Sequence, residues 1–241
     1  MRLKSVLLCL SAAAAFTSNV AGAIPLIANG NFELTTNGTN KQLSATPGNA
    51  ANRTTLTGWT SSNGNDGGYN FVLDSHIITT NASTLALKTY TSATDHGNVF
   101  ASDELYYPGT LSQTVGGLNV GSAYTLTFDY ALGQQAGFNG QNLNNFWKVN
   151  FGNVTQNSAT LSIPNGGFSG WQTATMTFMA TSASQVLSFL AKGSATGAPP
   201  FLLLDNVSMQ ANVPEPSTLS LMLAGAGLAG FLARRRRKTQ R

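Results

Sequence analysis

The 241-residue chain has one cysteine, Cys9, two histidines, His76 and His96, and only 9% charged residues. One thiol cannot close an intrachain disulfide or build a thiolate metal centre. The histidines sit apart, in Asp74-Ser75-His76 and Asp95-His96-Gly97, and read as solvated side chains. There is no G-x-S-x-G elbow, no H-E-x-x-H pair and no phosphate-cradling glycine loop. Asp103 and Glu104 are adjacent, so on a strand they point to opposite faces and make a poor acid–base pair. These absences point away from an enzyme. Amphipathic helical periodicity is also missing, which leaves strands to carry the fold.

Both ends of the chain carry targeting features. Arg2 and Lys4 precede an apolar run from Val6 to Phe16, and Ala21-Gly22-Ala23 follows. This is the pattern of a secretory signal peptide over residues 1–23, cleaved after Ala23. Export then removes Cys9, which follows Leu8 rather than a small residue and so does not read as a lipoprotein site. At the other end, Pro214-Glu215-Pro216 leads into an apolar run and then Arg234-Arg235-Arg236-Arg237-Lys238. At about 1.5 Å per helical residue, 217–233 would reach roughly 25 Å, the short end of a bilayer core. The expectation is a transmembrane helix over 217–233, with the basic tail 234–241 held on the cytoplasmic side.

Between the two targeting segments the charge reverses. Five bases (Lys41, Arg53, Lys88, Lys148, Lys192) face eight acids (Glu33, Asp66, Asp74, Asp95, Asp103, Glu104, Asp129, Asp205), a net of −3. Such a domain lacks the basic stripe of a nucleic-acid binder. In Ser122–Leu132, Tyr124, Leu126, Phe128 and Tyr130 alternate with Thr125, Thr127 and Asp129, the period-2 signature of a strand with one buried face. Leu111, Gln113 and Val115 alternate likewise, and glycines punctuate the connection, so the two segments read as an antiparallel pair. Further strands are expected at 146–151, 172–178, 185–191 and 201–209, and long loops over 37–70. The fold class is all-β, an antiparallel sandwich or jelly roll over residues 24–212.

The tail, from Pro214-Glu215-Pro216 through the apolar run to the arginine cluster, resembles the PEP-CTERM sorting signals of Gram-negative bacteria. That resemblance implies a precursor held transiently in the inner membrane and recognised by an exosortase-type enzyme. It also implies processing near Pro214, Glu215 and Pro216 and delivery to the cell surface or extracellular matrix. Within the domain, five segments look like the galactose-binding-like jelly rolls that include many carbohydrate-binding modules. They are Asn29-Gly30-Asn31-Phe32-Glu33, Gly58-Trp59, Leu111-Ser112-Gln113-Thr114-Val115, Gly121-Ser122-Ala123-Tyr124 and Leu204-Asp205-Asn206-Val207-Ser208. In such modules acids from the first and last segments hold a structural calcium. The matching positions are Glu33 and Asp205, with Asp103 as a third ligand. The alternative is that these carboxylates accept backbone N–H groups at strand ends.

Flat rings are the other candidates, because the C–H faces of a sugar stack on them. Tyr106 and Tyr107, in Tyr106-Tyr107-Pro108-Gly109, fall in an expected loop and read as the exposed pair. Trp147 is a third candidate, although it shares a strand face with Val149 and Phe151 and core packing is the favoured reading. Trp59 and Trp171 read as packing anchors. Together these features suggest an exported, surface-sorted, non-catalytic protein associated with extracellular polysaccharide. A ligand-free matrix protein and a glycan-active enzyme are the alternatives.

Overall fold

The structure is a computed structural model that describes residues 25–212, except 49, 65, 81–82, 92–96, 164–165 and 194–198, together with Gly225. The expected signal peptide, its cleavage after Ala23, the Pro214-Glu215-Pro216 motif, the membrane helix and the basic tail therefore lie outside the described residues.

Thirteen strands form among the described residues: β1 (Lys41–Leu43), β2 (Arg53–Thr54), β3 (Thr60–Ser62), β4 (Asn70–Asp74), β5 (Asn98–Asp103), β6 (Thr110–Gly116), β7 (Ala123–Gln134), β8 (Asn142–Phe151), β9 (Val154–Asn157), β10 (Leu161–Ile163), β11 (Gln172–Met179), β12 (Ser184–Lys192) and β13 (Pro200–Ala211). One sheet runs β11-β7-β13-β5-β4-β1-β2 and the other β10-β8-β12-β6-β3, with β9 paired to β8. Pairing is antiparallel except between β1 and β2. The all-β antiparallel sandwich expected from the sequence is the observed architecture.

The alternation in β7 places Tyr124, Leu126, Phe128, Tyr130 and Leu132 in the core between the sheets. There they meet Leu111 and Val115 of β6, Trp147, Val149 and Phe151 of β8, and Leu187 and Phe189 of β12. The predicted pairing of β6 with β7 is wrong. β6 pairs with β12 and β3, and β7 pairs with β11 and β13. The Gly116–Gly121 connection arches from one sheet to the other. Alternation fixes which face of a strand is buried, but not which strand lies beside it.

A second core covers the outer face of the seven-stranded sheet. Phe71, Leu73, Val99, Ala101, Phe201 and Leu203 pack there against Ile78, Leu85, Leu87 and Tyr90 from the β4–β5 connection. With both faces covered, β4 and β5 are buried along almost their whole length, the continuous pattern of a doubly covered strand. The opening segment is fastened by Gln113, whose amide accepts from Ala28 N–H (2.9 Å) and donates to the carbonyls of Ala28 (2.9 Å) and Gly58 (2.8 Å). Trp59 adds a bond from its indole N–H to the Asn29 carbonyl at 3.0 Å.

Candidate functional site

Residues 104–109 connect β5 to β6 and so cross from one sheet to the other at one end of the sandwich. Asp103, the last residue of β5, is buried, and its Oδ1 accepts the backbone N–H of Leu105 (2.8 Å) and of Tyr106 (3.2 Å). This turns the chain sharply out of the strand in the manner of an Asx-turn. Burial pushes the Asp103 carboxyl above its ordinary 3.8, and the two backbone N–H groups pull it back in part.

The rest of the loop is tied down residue by residue. The carbonyl of Tyr107 accepts Tyr69 N–H at 2.7 Å. Asn63 Nδ2 donates to the Pro108 carbonyl at 3.0 Å, and Asn70 Nδ2 to the Gly109 carbonyl at 2.9 Å. Gly68 lies so close that a Cβ there would fall 2.6 Å from Gly109 Cα. Tyr107 itself has φ of 53°, a left-handed conformation that costs a bulky residue of order 1–3 kcal/mol unless its surroundings enforce it.

The braced loop holds two rings in solvent: Tyr106 is 62% exposed and Tyr107 63%. Their centroids are 5.9 Å apart, with the planes tilted by 54°. Tyr106 rests edge-on against Tyr69 at 5.0 Å, and Tyr69 in turn meets Phe71 at 4.8 Å, so the tip is anchored to the second core. The Tyr69 phenol is pushed above 10.0 by burial first, then by the charges of Asp103 and Tyr106. Two fixed faces a few ångströms apart, each with a hydroxyl at its rim, suit a ligand that presents both C–H faces and polar edges.

Trp147 is not part of any such platform. It is 0% exposed, packs against Phe100 and Phe189, and donates its indole N–H to the Leu203 carbonyl at 3.1 Å across the sandwich. Its strand alternates, and position 147 falls on the face turned to the other sheet. Trp59 is buried and Trp171 packs half-buried against the second core, as packing anchors should.

The three acids proposed as metal ligands are not brought together. Asp103 faces Phe201 across β5 and β13, four residues before Asp205 on β13. At about 3.3 Å per residue this separates them by roughly 13 Å, too far for one ion, so Asp103 is withdrawn as a third ligand. Glu33 Oε1 accepts Asn98 N–H at 2.6 Å, and Asp205 Oδ1 accepts the N–H of Asn206 at 2.7 Å. Glu33 bonds Asn98, two residues from Phe100, and Asp205 follows Leu204, the residue paired with Phe100, so these two acids approach the same part of β5. Among the described residues no group of three or more His, Cys, Asp or Glu is placed to hold a metal. Exposed His76 pairs with Asp74, at 2.9 Å.

Sequence reading found the Tyr106–Tyr107 pair and counted Tyr69 among the available rings, but missed that Tyr69, Asn63 and Asn70 brace the loop. These lie in the stretch expected to be loop, where the Gly67-Gly68 dipeptide was the available sign of a close backbone approach.

Comparison with known proteins gives one match to a family model, the PEP-CTERM protein-sorting motif, over residues 212–237. No curated protein matches the chain. Among solved structures the chain is similar to a CBM4 module, at 17% identity over 77% of this chain and 99% of that one, with a TM-score of 0.34. It is similar to a CBM61 module in complex with β-1,4-galactotriose, at 15% identity over 65% and 92%, TM-score 0.38. A third is the N-terminal cellulose-binding domain of Cellulomonas fimi β-1,4-glucanase C, at 16% identity over 50% and 83%, TM-score 0.30. The chain thus combines an antiparallel β-sandwich with a carboxyl-terminal PEP-CTERM protein-sorting motif.

Proposed function

We propose that this is an exported, non-catalytic surface protein that holds extracellular polysaccharide through the Tyr106–Tyr107 platform. The observation that carries the reading is the pair itself, two solvent-exposed rings on a loop fixed by Asp103, Asn63, Asn70 and Tyr69. Two adjacent exposed aromatic rings on a fixed loop form an apolar patch with polar rims, the kind of surface that marks a contact with a ligand. The sorting motif supports delivery to the surface through an exosortase-type enzyme acting near Pro214, Glu215 and Pro216, after transient anchoring in the inner membrane. The net negative charge of the mature domain fits a neutral glycan and disfavours nucleic acid.

A structural calcium shared by Glu33 and Asp205 is a separate part of the proposal. It would take carboxylate and backbone carbonyl oxygens, the hard donors that calcium prefers, and would fasten the opening segment to β13.

The test is affinity electrophoresis of the surface-released protein against a panel of neutral and acidic polysaccharides. Wild-type protein should be retarded by at least one neutral polymer, and a Tyr106→Ala, Tyr107→Ala double variant should run as in a blank gel. Retardation by none of the polymers would favour the ligand-free matrix protein. Equal retardation of both proteins would remove the site from the Tyr106–Tyr107 loop.

A further inference from the structure

At one end of the sandwich the turns that join β6 to β7, β8 to β9 and β11 to β12 carry no charged side chain. The connections that meet there are residues 116–123, 151–155 and 179–186. The adjoining chain segments are 25–32 and 206–212, and none of these stretches contains Asp, Glu, Lys, Arg or His. Instead the end presents large apolar side chains: Val120, Val154, Met179 and Val186 are between 40% and 66% exposed. Beside them a groove of about 650 Å³ opens between Leu26 and Ile27 on one wall and Met209 on the other. By contrast, the opposite end carries Asp66, Asp103, Glu104 and Lys192.

Backbone geometry leaves part of this end unpaired as well. Asn212 N–H bonds to Ala123 on β7, whereas Val207 N–H bonds to Gly30 on the other side. Alternation therefore turns the backbone N–H groups of Met209 and Ala211 away from β7, to the side where the pairing of β5 with β13 has stopped at Leu204. An exposed apolar patch with a short open strand edge is a contact surface.

We propose that this end rests on a lipid bilayer while the protein is a membrane-held precursor. The argument is the length of chain outside the described domain. β13 ends at Ala211, the apolar run begins at Ser217, and only Val213 to Pro216 lie between Asn212 and that run. Four residues reach at most about 14 Å even when fully extended. A tail that spans the membrane therefore holds this end against the bilayer, with Val120 in the turn between β6 and β7 and Val154 at the start of β9 reaching the interfacial layer. The contact is apolar, so it should be insensitive to anionic lipid and to salt, unlike a polybasic anchor. This inference rests on the reading of residues 217–233 as a membrane span.

Once residues 1–23 are removed the chain has no cysteine, so single-cysteine variants can be labelled cleanly. The full remaining chain is reconstituted in phosphatidylcholine vesicles, with and without phosphatidylglycerol. It carries an environment-sensitive fluorophore at Val120→Cys, Val154→Cys, Asp66→Cys or Leu223→Cys, and lipids with a quencher on the acyl chain are added. Labels at 120 and 154 should lose most of their emission and the label at 66 none, equally in both lipid mixtures and at low and high salt. If the label at 223 is quenched while those at 120 and 154 are not, the tail is inserted and the inference is overturned. If 223 is not quenched, the membrane-span reading fails, and quenching at 120 then decides whether this end binds lipid by itself. Quenching at 120 that appears only with a processing enzyme in the vesicles would make the partner a protein and would also overturn the inference.

Discussion

Replacing Asp103 by alanine removes the acceptor that turns the chain out of β5 into the tyrosine loop. Two backbone N–H groups, at 2.8 and 3.2 Å, lose their partner. Hydrogen bonds to a charged acceptor contribute roughly 1.5–3 kcal/mol each. The variant also relieves a carboxylate whose burial disfavours its charge, and the freed N–H groups belong to exposed residues that water can reach. The net loss of stability should be about 1–2 kcal/mol, or about 2–8 °C in Tm for a domain of this size. Polysaccharide affinity should fall as well, because Tyr106 must then be ordered on binding at about 0.5–1.5 kcal/mol, a weakening of roughly two- to tenfold. The pH dependence separates this charge from simple packing. With the folded carboxyl raised above 3.8, the folded state holds more protons than the unfolded chain in the window above that value. Stability therefore falls as pH rises from 3.8 through the folded value. Asp103→Asn keeps an acceptor for the turn and should remove that slope. Urea denaturation at several pH values, with affinity electrophoresis alongside, reads all three effects. Wild-type Tm and affinity in Asp103→Ala would refute the role given to this carboxylate.

Gln113→Leu should cost about 1–3 kcal/mol by urea denaturation, since the N–H and C=O of Ala28 and the C=O of Gly58 lose their partner; its exposed neighbour Thr114→Ala should change little. Tyr107→Gly should leave stability unchanged or raise it by relieving the left-handed backbone, while lowering polysaccharide affinity; an unchanged affinity would remove Tyr107 from the platform. If Glu33 and Asp205 share a calcium, added calcium at a hundredfold excess over Kd should stabilise the protein by about 2.7 kcal/mol. Glu33→Ala and Asp205→Ala should abolish that gain and Asp103→Ala should not, and identical melting curves in calcium and in chelator would end the proposal. Intact mass of the surface-released protein should lack Arg234 to Arg241, and alanines at Pro214, Glu215 and Pro216 should block that processing without blocking export.

Much of this protein was settled by local pattern. Alternation over 123–132 sets which face of β7 is buried, whatever its neighbours, because the pleat has period two. The sorting motif is likewise legible from order and composition, since it is a linear string defined without any tertiary contact. What depends on distant residues was decided only by the tertiary structure. The sheet partner of β6 follows from an arch across the sandwich, and the partner of the Trp147 indole is Leu203, 56 residues away, although its core face was already readable from its alternation with Val149 and Phe151. The continuous burial of β4 and β5 arises because the β4–β5 connection folds back over them. Asp103 and Asp205 look alike in sequence, yet a roughly 13 Å offset along one strand forbids them a common ion. The end with the uncharged turns is the sharpest case: its five stretches are scattered from residue 25 to residue 212, and only the antiparallel topology gathers them at the place where the chain leaves the domain.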